Sequence, residues 1–181
     1  MYLGIFITIN QVKEINKLKH ILLISDTHSY LDDKLLKHIE EADEVWHAGD
    51  IGSSDVAEAI KKMKPLKAVY GNIDDQNIRN EFPKNLIFKC EEVKIFITHI
   101  CGQPTNYNKE VKDIIKLEKP QVFICGHSHI LKVMYQHQYE TLHLNPGACG
   151  VHGFHQIKTA LRFVIDKDQI KDLAIIELGS R

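Results

Sequence analysis

Short apolar runs, and the way they alternate with amphipathic segments, constrain the fold of this chain more than any other feature. In the N-terminal two thirds, runs such as His20–Ser25 alternate with segments such as Leu31–Glu41, whose apolar residues recur at helical spacing. In the last third, strand-like runs follow one another directly. Alternation predicts parallel strands with right-handed crossovers, and the closing runs suit an antiparallel or mixed sheet. We therefore expect an α/β protein in which two sheets pack face to face, with helices outside.

The individual elements follow from the same patterns. The segments with a helical period are Leu31–Glu41, Asp55–Lys64 and Lys109–Leu117. The runs with the length and composition of strands are His20–Ser25, Glu44–Ala48, Leu66–Tyr70, Leu86–Lys89, Lys94–Thr98, Val122–Cys125, Lys132–Gln136, Thr141–Asn145, Leu161–Ile165 and Ile170–Leu178. In such folds ligands bind at the carboxyl ends of strands, so the polar residues that follow these runs are the candidates for function.

Length and composition predict one soluble globular domain. The chain has 181 residues, of which 44% are hydrophobic and 26% are charged, as is ordinary for such proteins. A chain of this length buries roughly 70% of the surface that its unfolded form exposes, so it needs no disulfide or structural metal, and any metal is expected to be functional. We expect a single domain over 20–181, preceded by an extension of uncertain structure at 1–19.

Charge, cysteines and the N-terminus indicate the compartment and disfavour some partners. The chain has 23 basic and 24 acidic residues and no basic stripe, which disfavours nucleic acid as the main partner. Met1–Asn10 is apolar, but it is far shorter than the roughly 20 residues that span a bilayer and lacks a cleavage site. We expect a cytoplasmic protein without membrane association. Its widely spaced cysteines, expected to be reduced and mostly buried, are Cys90, Cys101, Cys125 and Cys149.

Histidine is the compositional outlier, with 11 residues, and it is the commonest metal ligand. The first predicted strand runs directly into Asp26-Thr27-His28, which puts a carboxylate and an imidazole on the same side of an extended turn. This arrangement suits a metal ion. Taken alone, however, the motif is better explained by Asp26 or Ser29 capping the helix that follows.

The next two strands end in Gly49-Asp50 and Gly71-Asn72. Glycine permits a sharp turn and lets the backbone approach a ligand, while the side-chain oxygens of Asp and Asn suit hard divalent cations. Turn chemistry accounts for each pair separately. It accounts less well for three successive strand ends that all carry such groups.

Two later strands end in histidines, the first in Thr98-His99 and the second in Gly126-His127-Ser128-His129. A single histidine at a strand end, such as His99, is more simply a hydrogen-bonded structural residue. The second segment favours function, because successive polar groups near a core are costly unless they are paired or coordinate an ion. Both of its imidazoles can project from the same side and reach adjacent ions.

The ordered series of DxH, GD, GN, TH and GHSH motifs resembles the calcineurin-like metallophosphoesterase superfamily, and most of all its small prokaryotic branch of YfcE-type phosphodiesterases. The resemblance extends over nearly all of Leu18–Leu178. It implies a four-layer α/β sandwich of two mixed β-sheets flanked by helices, in agreement with the alternation described above. It also implies hydrolysis of phosphate esters by a hydroxide that bridges two metal ions and attacks phosphorus in line with the leaving oxygen.

The resemblance further implies a role for individual residues. The implied ligands are Asp26, His28 and His129 for one metal ion and Asn72, His99 and His127 for the other, with Asp50 bridging the two. Asp50, Asn72 and His99 would act in catalysis, and Asn72 would also contact substrate. Two divalent ions about 3.5–4 Å apart lower the pKa of a shared water and clamp the phosphoryl oxygens. Such mixed donors accept Mn²⁺, Fe²⁺, Ni²⁺, Co²⁺ or Zn²⁺, and the resemblance favours Mn²⁺.

The third motif departs from the wider family, which usually has histidine after Gly-Asn. Here Ile73 follows Asn72, and isoleucine can neither donate a proton nor bind a phosphate oxygen. The small prokaryotic branch commonly lacks this histidine too, so the departure puts only general-acid assistance in doubt. We expect either a preference for esters with good leaving groups or a substitute histidine. The candidates, as substrate contacts, are His152 and His155 in the glycine-flanked loop after Asn145-Pro146-Gly147, for which a solvated loop is the alternative.

Other polar residues are expected to have structural roles or are left open. His47, on a central strand, is expected to be a buried, hydrogen-bonded residue that supports the ligands. His143 could be structural or functional. Asp74 and Asp75 could steady Asn72 or a substrate group, or lie in a solvated turn. The histidines expected at the surface are His20, His38 and His137.

The sequence thus predicts a cytoplasmic, metal-dependent phosphodiesterase acting on a small phosphodiester. One alternative is a protein-interaction scaffold on the same fold, as in the eukaryotic retromer subunit that resembles this branch. Another is a phosphomonoesterase or a nuclease, although the balanced charge offers no basic groove for a nucleic acid. The oligomeric state, including a homo-oligomer, is left open.

Overall fold

The computed structural model describes residues 18–103 and 106–181. The strands of this part of the chain are β1 (Lys19–Ile24), β2 (Glu44–His47), β3 (Leu66–Ala68), β4 (Asn85–Cys90), β5 (Val93–Thr98), β6 (Gly102–Gln103), β7 (Asn106–Tyr107), β8 (Val122–Ile124), β9 (Lys132–Gln136), β10 (Thr141–Asn145), β11 (Ile157–Asp166) and β12 (Gln169–Ser180). Its helices are α1 (Asp33–Glu41), α2 (Ser54–Met63), α3 (Gln76–Glu81) and α4 (Lys109–Glu118). Within the described ranges, no helix has the length and apolar character needed to cross a membrane.

The strands form two mixed sheets of five strands each, and β6 and β7 form a small separate pair. The first sheet has the order β12-β11-β1-β2-β3, in which β1, β2 and β3 are parallel and β11 and β12 are antiparallel to their neighbours. The second has the order β4-β5-β8-β10-β9, in which β5, β8 and β10 are parallel. The candidate motifs therefore follow parallel strands that lie side by side in each sheet.

Three apolar cores separate four layers. One lies between α1, α2 and the first sheet, one between the two sheets, and one between the second sheet and α4. Because side chains alternate along a strand, Leu22 of β1 packs in the first core and Leu23 in the second. In β8, Ile124 packs between the sheets and Phe123 packs in the third core. The expected four-layer α/β sandwich of two mixed sheets is confirmed.

The structure contains the predicted helices and strands with bounds shifted by at most a few residues, and it adds elements that the sequence analysis missed. Helix α3 contains one buried apolar residue, Ile78, and so has no apolar period. It begins because the Asp75 carboxylate accepts hydrogen bonds from two backbone amides of its first turn. Strands β6 and β7 have two residues each. Of the expected extension at 1–19, residues 1–17 lie outside the described part of the chain, and Lys19 begins β1.

Candidate metal centre

The expected ligands converge at the carboxyl ends of β1, β2, β3, β5 and β8. In the first sheet, the backbone amide of Asp26 donates a hydrogen bond of 3.0 Å to Gly49 O. In the second, the Gly126 amide donates one of 3.0 Å to His99 O. Between the sheets, the His127 amide donates one of 3.1 Å to Asp26 Oδ2. These bonds bring together segments that follow strands of both sheets.

Several expected ligands hold a backbone conformation that glycine alone adopts without penalty. The angle φ is positive for Asp26 (55°), His28 (47°), Asp50 (54°), His127 (65°) and His129 (57°). A left-handed backbone costs a residue with a side chain roughly 1–2 kcal/mol. Such strain persists only where the surrounding structure holds it, and it concentrates at functional sites. The fold, and not local preference, therefore aims these side chains.

The first group of donor atoms belongs to Asp26, His28 and His129, and the atoms lie within 4.8 Å of one another. His129 Nε2 is 3.3 Å from Asp26 Oδ1 and 3.4 Å from His28 Nε2. Asp26 is fully buried, and its Oδ1 accepts no hydrogen bond from the described residues. The nearby Asp26 carboxylate raises the pKa of His129, whereas burial lowers the pKa of His28.

The second group consists of Asp50, His99 and His127, again with donor atoms within 4.8 Å. His99 Nε2 is 3.2 Å from Asp50 Oδ1 and 3.1 Å from Asn72 Oδ1. His99 Nδ1 lies 2.8 Å from Ala48 O, which can only accept a hydrogen bond. Nδ1 therefore carries a proton and is the donor. An imidazole held from behind in this way is typical of a metal ligand, because the bond fixes its tautomer and its orientation.

Asp50 belongs to the second group and also faces the first. Its Oδ2 is 3.8 Å from His28 Nε2, and its Oδ1 is 3.2 Å from His99 Nε2. Burial opposes the charge of Asp50, but the hydrogen bond and charge of His99 outweigh it, so the pKa of Asp50 is lowered. Burial also opposes the charge of His99, but the carboxylates of Asp50 and Asp26 raise its pKa. One carboxylate thus faces both groups, as a bridging ligand must.

Asp74 is buried and organises the turns that carry Asp50 and Asn72, which resolves an alternative that the sequence left open. Its carboxylate accepts hydrogen bonds from three backbone amides, at 3.1, 2.7 and 2.7 Å; they belong to Ile51, Gly52 and Gly71. A Cβ atom on Gly71 would overlap Asp50 Oδ1, so the glycine lets the third-strand turn approach this carboxylate. The position of Asp74 two residues after Asn72 is the only sequence signal for this role.

His47 is a buried support behind the ligands, in agreement with its expected place. The Gly49 amide donates to His47 Nδ1 at 3.1 Å, so the ring proton is on Nε2, which is 2.9 Å from Thr27 Oγ1. Thr27 Oγ1 in turn donates to Ile51 O at 2.9 Å. Burial lowers the pKa of His47 to about 4. The residue is therefore neutral, and its hydrogen bonds join the turns after β1 and β2.

The loop that follows β10 brings two further histidines to the first group. His152 is exposed, and its ring centroid is 5.5 Å from that of His28. His155 is half-buried, with Nε2 2.9 Å from Gly150 O and Nδ1 3.3 Å from His129 Nδ1. Burial lowers the pKa of His155. Both nitrogens of His155 thus face protein atoms, whereas His152 is open to solvent beside the site.

A third cluster of donor atoms, from Cys101, Cys125 and His143, is buried against the second sheet. Cys125 Sγ is 2.6 Å from Cys101 Sγ and 3.3 Å from His143 Nε2, and His143 Nδ1 is 2.7 Å from the hydroxyl of Tyr107. The members therefore meet one another's hydrogen-bonding needs. His143, whose role the sequence left open, belongs to this buried network and not to the two groups described above.

The residues around Asp50 fit divalent cations. Their donors are carboxylate, amide and imidazole atoms, a set that binds first-row divalent metals. Asp26 Oδ1, which accepts no hydrogen bond from the described residues, fits a cation as well, because a buried carboxylate oxygen is costly unless it is paired or bound to a metal. Asn72 and His127 are exposed, so one side of the site is open to solvent.

Known structures share this fold over nearly the whole chain. A predicted phosphoesterase from Streptococcus pneumoniae is 23% identical, with a TM-score of 0.65, over 89% of this chain and 90% of that one. A protein described as a novel archaeal phosphodiesterase is 26% identical, with a TM-score of 0.64, over 88% and 99%. Vps29 from Chaetomium thermophilum is 14% identical, with a TM-score of 0.71, over 88% and 97%.

Sequence comparison identifies the family. A protein of Methanothermobacter thermautotrophicus named "Probable metallophosphoesterase" is 24% identical over 131 residues, which are 70% of this chain and 74% of that protein. The model of the calcineurin-like phosphoesterase superfamily domain matches residues 20–168, a range that includes all the motifs of the site. Because this match covers most of the chain, the protein belongs to the calcineurin-like phosphoesterase superfamily, a metal-dependent family of phosphoesterases.

Proposed function

We propose that this protein is a phosphodiesterase that uses two divalent metal ions, one held by Asp26, His28 and His129 and the other by Asn72, His99 and His127. The observation that carries the proposal is the position of Asp50, whose two carboxylate oxygens face one group each, at 3.8 and 3.2 Å from the nearest histidine nitrogens. When bound, two such ions would stabilise the phosphoryl oxygens and acidify a water molecule.

Side chains of this protein would position the two metal ions and leave the site open to a phosphate ester. Asp50 would hold the two ion sites at a fixed separation, and its place is secured by the backbone amide of Ile73, which donates to Oδ1 at 3.1 Å. Asn72 and His127 lie at the exposed side of the site, where a phosphate ester can approach. We propose Asn72 and the exposed His152 as substrate contacts. His152 would be placed to reach ester or phosphoryl oxygens from the side of His28.

The cavities beside the site favour a diester over a monoester. A cavity of about 500 Å³ is lined by His127, and a second, of about 230 Å³, is lined by Asn72 and His99. Ile100 lines both cavities. A phosphodiester carries two ester groups, and each would have a cavity of its own. A phosphomonoester would leave one of them unused.

The test is a screen of the metal-reconstituted protein against phosphodiesters and phosphomonoesters at several pH values. We expect Mn²⁺ to support the highest turnover and aryl diesters to be preferred over the matching monoesters. Asp50→Asn keeps the size of the side chain but removes a charge that both ions share, and it is expected to lower kcat/KM by about 10²–10³-fold. Comparable activity of the variant would refute the two-metal mechanism, and faster monoester turnover would refute the diester preference.

A scaffold function is the main alternative, because Vps29 proteins have the same fold. The buried Asp26 Oδ1, which accepts no hydrogen bond from the described residues, favours catalysis with bound metal, since a binding surface alone does not require such an atom. Absence of turnover on every phosphodiester by protein that holds two metal ions would favour the scaffold. We also propose a cytoplasmic location, because all four cysteines are buried and free, as suits a reducing compartment.

A further inference from the structure

We infer that His155 is a positioning residue that fixes the ring of His129 for metal binding, an inference that rests on the proposed two-metal function. His155 does not point at the space between the two donor groups. It stands behind His129, on the side opposite the Nε2 atom that faces Asp26 and His28. Its role would be to determine which nitrogen of His129 carries the proton.

The direction of the hydrogen bonds that link His129, His155 and Gly150 O follows from the carbonyl oxygen, which can only accept. Gly150 O lies 2.9 Å from His155 Nε2 and can only accept, so this nitrogen carries the proton. In the neutral ring, His155 Nδ1 is then an acceptor. His129 Nδ1, at 3.3 Å, must be the donor of the bond that joins the two rings. In the neutral ring of His129, Nε2 is then left with its lone pair directed at Asp26 and His28.

The alternative arrangement would block the metal site. If His155 donated from Nδ1, His129 would have to accept there and place its own proton on Nε2, toward Asp26. An imidazole cannot bind a metal ion through a protonated nitrogen. A ligand histidine that donates its other N–H to an acceptor is better oriented and more basic, and loss of such an acceptor typically weakens metal binding by about 10–100-fold.

The loop that carries His155 is shaped around the His129 ring, which is a second and independent observation. Gly153 has a φ of 118°, in a region that residues with side chains rarely adopt. A Cβ atom at this position would overlap His129 Nδ1. The ring centroids of His129 and His155 are 5.3 Å apart and their planes are at 67°. The glycine thus admits the contact that the proposed hydrogen bond requires.

The experiment measures metal binding to metal-free full-length protein by calorimetric titration with Mn²⁺, and the site geometry from the visible spectrum of the Co²⁺ form. For His155→Ala we expect one of the two ions to bind about 10–100-fold more weakly, with the other unchanged. For His155→Asn we expect recovery of most of the affinity, because an amide oxygen can replace Nδ1 as the acceptor. Phe154 lies in the same loop and is fully exposed, so Phe154→Ala is the matched control and is expected to bind both ions normally.

Each outcome decides a separate point. Normal binding of both ions by His155→Ala would overturn the inference. Equal weakening in His155→Asn would show that packing, and not an acceptor, is what His155 contributes, and it would overturn the inference too. Equal weakening of metal binding in Phe154→Ala would assign the effect to the loop as a whole and would also overturn the inference. Failure of the unmodified protein to bind two ions would instead refute the proposed function.

Discussion

Acidification is expected to destabilise this protein through His47. The buried ring is neutral, because Nδ1 accepts from the Gly49 amide and Nε2 donates to Thr27 Oγ1. Protonation would put a hydrogen on Nδ1 opposite the amide hydrogen of Gly49 and would charge a ring that is shielded from water. Burial accordingly lowers the pKa of His47 in the folded protein to about 4.

The magnitude follows from the difference between the folded and unfolded pKa values. Between the folded pKa of about 4 and the pKa of 6.5 that histidine has in the unfolded chain, the unfolded chain binds more protons at His47 than the folded protein does. The free energy of unfolding must therefore fall as the pH falls through this window. The stability that the neutral His47 ring contributes is fully present only above pH 6.5. At about 1.4 kcal/mol per pKa unit, the whole loss is about 3 kcal/mol, of which about 2 kcal/mol is expected by pH 5.

The assay is urea unfolding at intervals from pH 7.5 to pH 5, with a chelator present so that bound metal does not contribute. His47→Asn is the reference, because asparagine does not titrate and its amide oxygen can still accept from the Gly49 amide. This variant is expected to be less stable at pH 7.5, since the bond to Thr27 is lost. Its stability should nonetheless fall by about 2 kcal/mol less than that of the unmodified protein by pH 5. Parallel pH profiles for the two proteins would refute the reasoning.

Three further substitutions test the support around the donor groups. Asp74→Asn puts an amide donor where three backbone amides need acceptors, so we expect a loss of about 2 kcal/mol in unfolding free energy, measured in urea; unchanged stability would contradict the role of Asp74. Gly71→Ala would force a Cβ atom onto Asp50 Oδ1, so calorimetric titration should show loss of metal binding. Normal binding of two ions would argue against a close approach of the Gly71 backbone to the Asp50 carboxylate. Ile73 is 46% exposed, so the Ile73→His variant should fold normally. The new histidine can donate a proton to the leaving group, and turnover of diesters with poor leaving groups should increase by roughly 10²-fold. An equal effect on aryl and alkyl diesters would exclude proton donation as the explanation.

Much of the fold could be predicted because burial imposes a local pattern. The apolar runs of β1 and β8 are buried on both faces, and their polar successors mark the strand ends. Helix α3 was missed because a capping carboxylate, and not an apolar period, defines it. The structural role of Asp74 was equally hidden, since its three partners are backbone amides that carry no sequence signal.

The candidate site shows where sequence reasoning reaches its limit. The resemblance implied all seven metal ligands, and the structure brings them together, but their metal binding stays a prediction. His152 and His155 were expected to have the same role because they lie in one loop. The structure separates them: His152 is exposed beside His28, and both nitrogens of His155 are directed at protein atoms.

The order of strands and helices, the layers they form and the kinds of side chain that follow each strand could all be predicted from the amino-acid sequence. These properties depend on residues that are close in the chain, where the period of apolar residues decides which side is buried. The tertiary structure alone decided which donors meet. His28 and His129 are 101 positions apart, and Asp26 reaches the His127 amide only because the two sheets pack together. The left-handed backbone of Asp26, His28 and Asp50 also depends on the tertiary structure, because the amides of Asp26 and His28 bond to the carbonyls of Gly49 and Asp50 in the neighbouring turn.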